Sequence, residues 1–114
     1  MDITGKATML RIYIGEDDRL DGQPLYNAII LTLREAGIAG ATVLRGIEGF
    51  GASSRIHTAN ILRLSQDLPI VIEAVDKPDR IASVLDKVTS MVGDGLVTTE
   101  EIQVIKYGAL KQVR

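Results

Sequence analysis

Residues Glu35–Gly51 read EAGIAGATVLRGIEGFG, and they predict a helix end, a turn, a strand and the entrance to a glycine-punctuated loop. Glycine permits the backbone angles that close a helix, so Gly37 supplies the stop and Gly40 the turn. Ala41–Ile47 is the predicted strand. Phe50 stands between two glycines, which predicts a hinge for the following loop with the ring of Phe50 packed at its base.

The residues before this stretch predict a strand followed by a helix. Thr8–Ile14 alternates aliphatic side chains with Met9, Arg11 and Tyr13, which is the period of a strand. Pro24 fits the first turn of a helix, since its fixed φ suits that position. One face of this helix repeats at helical spacing and consists of Leu25, Ala28, Ile29, Thr32, Leu33 and Ala36.

The residues after it predict a long polar loop at Gly49–Asp67, a buried strand at Pro69–Val75 and a second helix. Asp76 is the expected cap of that helix. Gly93–Gly95 breaks it, and Ile102–Tyr107 is the predicted last strand. The apolar stripe of the second helix consists of Ile81, Val84, Leu85, Val88 and Met91.

The order of elements is therefore β-α-β-β-α-β, which predicts an α+β fold of the ferredoxin-like sandwich type. Four antiparallel strands would carry both helices on one face, in a single domain over residues 1–114 with a long loop at about 49–67. The second sheet face is predicted to be too apolar for water and to be covered by self-association; a weakly amphipathic sheet in a monomer is the alternative. Its expected apolar residues are Met9, Tyr13, Val43, Val71, Val75 and Ile105, and Arg11, Arg45 and Glu73 could pair across it.

Composition excludes several classes of function. A net charge of -2 gives no electrostatic case for binding nucleic acid. The chain has no cysteine, which removes thiol chemistry and suits a cytoplasmic location. It begins without a signal-peptide pattern. No catalytic set emerges, and a single histidine, His57, does not predict a metal site. The acidic run Glu16–Asp18 is expected to be a solvated turn rather than a Mg²⁺ site.

The stretch quoted above resembles the corresponding part of the PII (GlnB-like) signalling proteins. The shared landmarks include a helix ending E-x-G-I-x-G-x-T-V from Glu35, a G-F-G at Gly49–Gly51 and the G-D-G turn at Gly93–Gly95. The order G-F-G, His57 and L-S-x-D-L-P at Leu64–Pro69 is closer still to an uncharacterised PII-like family. Some members of that family occur beside fluoride-channel components, and the resemblance thereby implies a membrane transporter or channel as a candidate partner.

The resemblance implies a homotrimeric regulator that binds a small anion or nucleotide in clefts between subunits and signals through the loop at about Ala52–Asp67. No cofactor can be named and no metal is expected. The residues of the loop implied to meet a partner are His57 and Arg63. The implied ligand-binding residues are Arg45, Gly46, Gly49, Phe50, Gly51, Arg55, Gly93, Asp94, Gly95 and Lys106.

Two departures from the PII pattern affect this expectation. PII proteins place a lysine directly after G-D-G and an arginine directly after G-F-G, whereas this chain has Leu96 and Ala52 there. The scaffold is therefore matched more fully than the cations that hold a phosphate. Two alternatives stay open: a small ferredoxin-like enzyme with its site in the same cleft, and a structural trimer without a ligand.

Overall fold

The computed structural model describes residues 2–51, 57–58 and 67–108, with backbone alone for 57–58. In chain order the elements are β1 (Gly5–Gly15), β2 (Arg19–Leu20), β3 (Gln23–Pro24), α1 (Leu25–Glu35), β4 (Gly40–Arg45), β5 (Glu48–Gly49), β6 (His57–Thr58), β7 (Pro69–Asp76), α2 (Pro78–Met91) and β8 (Leu96–Val104). The short strands β2 and β3 pair with each other, as do β5 and β6, separately from the main sheet.

The main sheet has four strands in the order β4-β7-β1-β8, and every neighbouring pair is antiparallel. Both helices lie on the same face of this sheet, as right-handed crossovers require. The predicted ferredoxin-like sandwich is confirmed. The edges of the sheet are β4 and β8, so the two segments that flank the predicted ligand cleft belong to opposite edges.

The helices form where the sequence predicts them. α1 ends in a Schellman motif, in which Ile38 N–H bonds to Leu33 O at 3.1 Å and Gly37 adopts φ +76°. α2 begins with Pro78 in its first turn. The core between helices and sheet consists of Leu10, Ile12, Ile14, Leu25, Ile29, Leu33, Ile70, Ile72, Ala74, Ile81, Val84 and Val88.

The last strand forms, but its predicted bounds were wrong. β8 spans Leu96–Val104 and pairs with nearly the whole of β1, from Tyr13 opposite Leu96 to Gly5 opposite Val104. The charged residues of its middle are tolerated because β8 is an edge strand whose side chains reach water. The chain has left the sheet by Ile105, which is therefore exposed and takes no part in the sheet face assigned to it.

The cap predicted for α2 was also wrong. Asp76 is the last residue of β7, and the N-cap of α2 is Lys77. The carboxylate of Asp76 nonetheless accepts the backbone N–H of Lys77 at 2.7 Å, which is a short-range contact near the helix start. Aspartate is a common helix cap, but Asp76 pairs with Thr8 of β1, and β7 therefore continues through this position.

Candidate functional site

The sheet face away from the helices, called here the open face, has one row of large apolar side chains that crosses all four strands. The register aligns Leu44 with Val71, Val71 with Tyr13, and Tyr13 with Leu96. Both ends of this row are exposed, with Leu44 at 47% and Leu96 at 54% of their full accessible surface. The row therefore presents apolar surface from one edge of the sheet to the other.

The next row of the open face is polar and contains an arginine. Arg11 Nε donates to Glu73 Oε2 at 2.9 Å within the row, and Arg11 Nη1 donates to Glu100 Oε1 at 2.7 Å on the neighbouring strand. Hydrogen bonds to Glu73 and then to Glu100 raise the pKa of Arg11 above its ordinary value. The predicted pairing of Arg11 with Glu73 is confirmed.

The prediction placed two residues on the wrong sheet face. Val43 lies opposite Ile72, on the helix side, and packs against the core. Arg45 lies opposite Ile70 on that same side and pairs with Glu16 instead of Glu73. Side chains alternate strictly along a strand, so an assignment that is wrong by one residue inverts the face of every side chain. Leu44 takes the place predicted for Val43.

The loop-side end of the sheet is tied together where β1 and β4 end and β7 begins. Gly46 N–H donates to Pro69 O at 2.7 Å, and Glu16 N–H donates to Leu68 O at 2.8 Å. The side chain of Asp67 accepts the N–H of Asp17 at 2.8 Å. The exit of the predicted effector loop is thus fixed both to the end of β4 and to the acidic turn after β1.

That end of the sheet has little room for change. A Cβ on Gly15 would lie 2.6 Å from a carboxylate oxygen of Asp67, and a Cβ on Gly46 would lie 2.8 Å from the ring of Pro69. The acidic run Glu16–Asp18 did not predict this contact with the end of the loop, because a hydrogen bond from Asp17 to Asp67 across 50 residues leaves no local sequence pattern.

Among the residues with described positions, no group of His, Cys, Asp or Glu is arranged to hold a metal ion.

Gly93–Gly95 lies at the same end of the sheet but at the β8 edge. A Cβ on Gly95 would meet the carbonyl oxygen of Tyr13 at 2.5 Å and Val92 Cγ1 at 2.9 Å, so the turn lies directly on the end of β1. Only glycine fits this close approach. Leu96, which stands where PII proteins have lysine, lies at the end of the apolar row on the open face.

A single chain does not bring the predicted ligand residues into one site. Arg45 and Gly46 lie at the β4 edge and Gly93–Gly95 at the β8 edge, three strand spacings or about 14 Å apart. Lys106 follows the other end of β8, about 26 Å along the strand from Leu96. Within one chain, these residues therefore do not form a single site.

The Gly49–Gly51 segment at the loop entrance differs from the predicted hinge with a packed aromatic ring. Phe50 is 75% exposed instead of packed at the loop base. Gly49 pairs with His57 in the β5–β6 ladder, and Gly51 has open space where its Cβ would be. Of the other predicted loop residues, Ala52, Arg55, Arg63 and the side chain of His57 lie outside the described residues.

Sequence reasoning missed a buried polar site at the opposite end of the sheet. Asp76 is fully buried, accepts the N–H of Ala39 at 2.9 Å and lies 3.6 Å from Nε of Arg80. The signal that could have found it is the Asp76–Arg80 spacing of four residues, but Asp76 was interpreted as a helix cap instead.

No described helix is long and apolar enough to cross a membrane.

Comparison with known proteins identifies relatives at the level of sequence and of fold. The model of the DUF190 family, described as "Uncharacterized ACR", matches residues 7–104. A UPF0166 protein of Aquifex aeolicus is 34% identical over 88% of this chain and 94% of its own length. UPF0166 protein MJ1524 of Methanocaldococcus jannaschii is 38% identical over 89% of this chain and 94% of its own length.

Two groups of solved structures share the fold. CPII of Thiomonas intermedia K12, a nitrogen regulatory PII-like protein bound to ADP, AMP and bicarbonate, superposes with a TM-score of 0.66 at 18% identity, covering 89% of this chain and 90% of that one. A putative PII-like signalling protein of Thermus thermophilus gives 0.63 at 15% identity, covering 92% of this chain and 94% of that one. The fold is PII-like, as the sequence resemblance predicts.

Proposed function

The chain belongs to the DUF190 family and has a PII-like fold, and from this premise we propose that it is a cytoplasmic regulatory protein. It binds a small anion or nucleotide in clefts between subunits and passes the signal to a partner through the loop at about residues 52–67. The observation that carries the proposal is the separation of the two half-sites, Gly93–Gly95 and Arg45–Gly51, onto opposite edges of one sheet.

The apolar row supports the assembly of these half-sites. Leu96 ends the row at the β8 edge and Leu44 ends it at the β4 edge, and both are exposed. A contact between different edges of two copies is heterologous, and such contacts close into rings when the rotation allows. A homotrimer in which the Leu96 edge of one copy meets the Leu44 edge of the next would place Gly93–Gly95 beside Gly46.

The ligand class follows from the groups that this arrangement would supply. The Gly93–Gly95 turn can present backbone N–H groups to an anion. Arg45 at the facing edge is a cation that would have to exchange its ion pair with Glu16 for the ligand. Lys106 lies beyond the other end of β8, so it can contact the same ligand only from another copy of the chain or from a different side of the cleft. The related fold of CPII carries ADP, AMP and bicarbonate, so nucleotides and bicarbonate are the first candidates to test here. Leu96 supplies no charge, so we expect weaker phosphate binding than a lysine there would give.

Titration calorimetry with ATP, ADP, AMP and bicarbonate tests the proposal. We expect at least one of them to bind, and Arg45→Ala to weaken that binding by roughly ten- to a hundredfold, as the loss of a charge-assisted contact would. Gly40→Ala is the control, because a Cβ on Gly40 meets nothing within 4 Å and Gly40 lies at the end of β4 away from Arg45.

The possible results separate the proposal from its rivals. Binding that survives both Arg45→Ala and Gly95→Val unchanged would mean that the ligand occupies another part of the molecule. No binding by any of the four compounds would favour the ligand-free structural trimer. A membrane channel or transporter as the partner of the loop rests on the family resemblance, and co-purification with the membrane fraction that depends on residues 52–66 would support it.

A further inference from the structure

The backbone of Ala39, between α1 and β4, is held by side chains from two distant parts of the chain. The N–H of Ala39 donates to Oδ2 of Asp76 at 2.9 Å, and the C=O of Ala39 accepts a hydrogen bond from the hydroxyl of Tyr107 at 3.0 Å. Asp76 ends β7, and Tyr107 lies three residues beyond the end of β8. We call Ala39, Asp76 and Tyr107, together with Arg80, the Ala39 clamp.

One side of the Ala39 clamp is rigid. The carboxylate of Asp76 is fully buried and also accepts the N–H of Lys77 at 2.7 Å. Arg80 Nη2 donates to Gly37 O at 2.6 Å, and Arg80 Nε lies 3.6 Å from Asp76. Because a buried carboxylate is costly unless its oxygens are bonded, this set of contacts strongly favours a single arrangement of the α1–β4 turn.

The other side of the Ala39 clamp is the C-terminal segment. After Val104 the chain leaves β8 at one edge of the sheet, and by Tyr107 its side chain reaches the turn before β4 at the opposite edge. Tyr107 itself is more than one-third exposed. A surface hydrogen bond of this kind opens far more easily than the buried contacts of Asp76.

β4 is the element that this bond controls. It is an edge strand of six residues, of which only Val43 is not exposed. With so little buried surface, its position depends on the ladder to β7 and on the contacts at its two ends. The far end is held by the hydrogen bond from Gly46 N–H to Pro69 O and by the Arg45–Glu16 ion pair.

We infer that the C-terminal segment is coupled to the entrance of the 52–66 loop through β4, with the bond from Tyr107 to Ala39 as the point of control. When the hydroxyl is bonded, the start of β4 is fixed and its end presents Arg45 and Gly46 in the observed position. When the bond opens, the strand frays from Ala39 toward Gly46. This coupling needs no ligand, so the absence of nucleotide binding would not decide it.

Amide hydrogen exchange on the full chain tests the coupling, with Tyr107→Phe removing one hydroxyl and nothing else. We expect exchange at Gly46 and at the β4 amides that bond to β7 to become roughly three- to tenfold faster, the effect of losing one net hydrogen bond. Tyr26→Phe is the matched control, since Tyr26 lies at the start of α1, at the end of that helix away from Ala39. It should leave β4 exchange unchanged.

Three results would overturn the inference. Faster exchange confined to Ala39 and Gly40 would show that the clamp does not reach the loop entrance. An equal increase in β1 and β8 would show a loss of global stability instead of a local coupling. The same increase in Tyr26→Phe as in Tyr107→Phe would show that the position of the hydroxyl does not matter.

Discussion

At the scale of single residues, close approach explains what residue type alone does not. Gly95 is required because the backbone of β1 lies against it, whereas Gly93, two positions earlier, has open space where its Cβ would be. The sequence marks both as turn glycines and cannot distinguish them, since the contact with Tyr13 is made with a distant part of the chain. The same reason hid the bonds of Asp67 to Asp17 and of Asp76 to Ala39, which join distant parts of the chain.

Gly95→Ala should destabilise the fold by about 1–3 kcal/mol, because its methyl group would overlap the carbonyl oxygen of Tyr13 and the strand would have to shift. Gly93→Ala should change stability by less than about 0.5 kcal/mol. Urea unfolding of both variants at one fixed protein concentration measures the difference. Equal midpoints would show that β1 yields easily at this contact.

At the scale of secondary structure, periodicity in the sequence predicted the regular elements well, whereas the register of strand pairing could not be predicted. The alternation in β1 and the stripes of the two helices identify these elements, since each is a local pattern. The start of β8 carries no such pattern. It is a strand because it pairs along β1, and that pairing is visible only in the folded molecule. The face of Val43 depends in the same way on its alignment with Ile72.

Two adjacent substitutions in β4 test this assignment of faces. Val43→Ala should cost about 1–2 kcal/mol in the free energy of unfolding, because Val43 packs against the core. Leu44→Ala should weaken self-association while changing the stability of the subunit by less than about 1 kcal/mol, since Leu44 lies on the open face. Urea unfolding and gel filtration of both variants separate the two effects. Reversed roles would mean that the register of β4 and β7 is shifted by one residue.

At the scale of the whole molecule, the proposed function depends on more than one copy of the chain. The apolar row crosses the open face from edge to edge, and the candidate ligand residues lie on two opposite edges of the sheet. Fold class could be predicted from the sequence because element order is local. That one chain holds only part of the candidate site could not be predicted, since this depends on which edge of the sheet each strand occupies.

Sedimentation equilibrium of the purified protein tests this account most directly. We expect a homotrimer at micromolar concentration, and we expect Val71→Asp to dissociate it, because the new carboxylate would be buried without a partner in the apolar row. Ser83→Asp is the control, because Ser83 is exposed on α2, on the helix side of the molecule away from the open face. A wild-type chain that stays monomeric at micromolar concentration would contradict the account, since the two half-sites would then never meet.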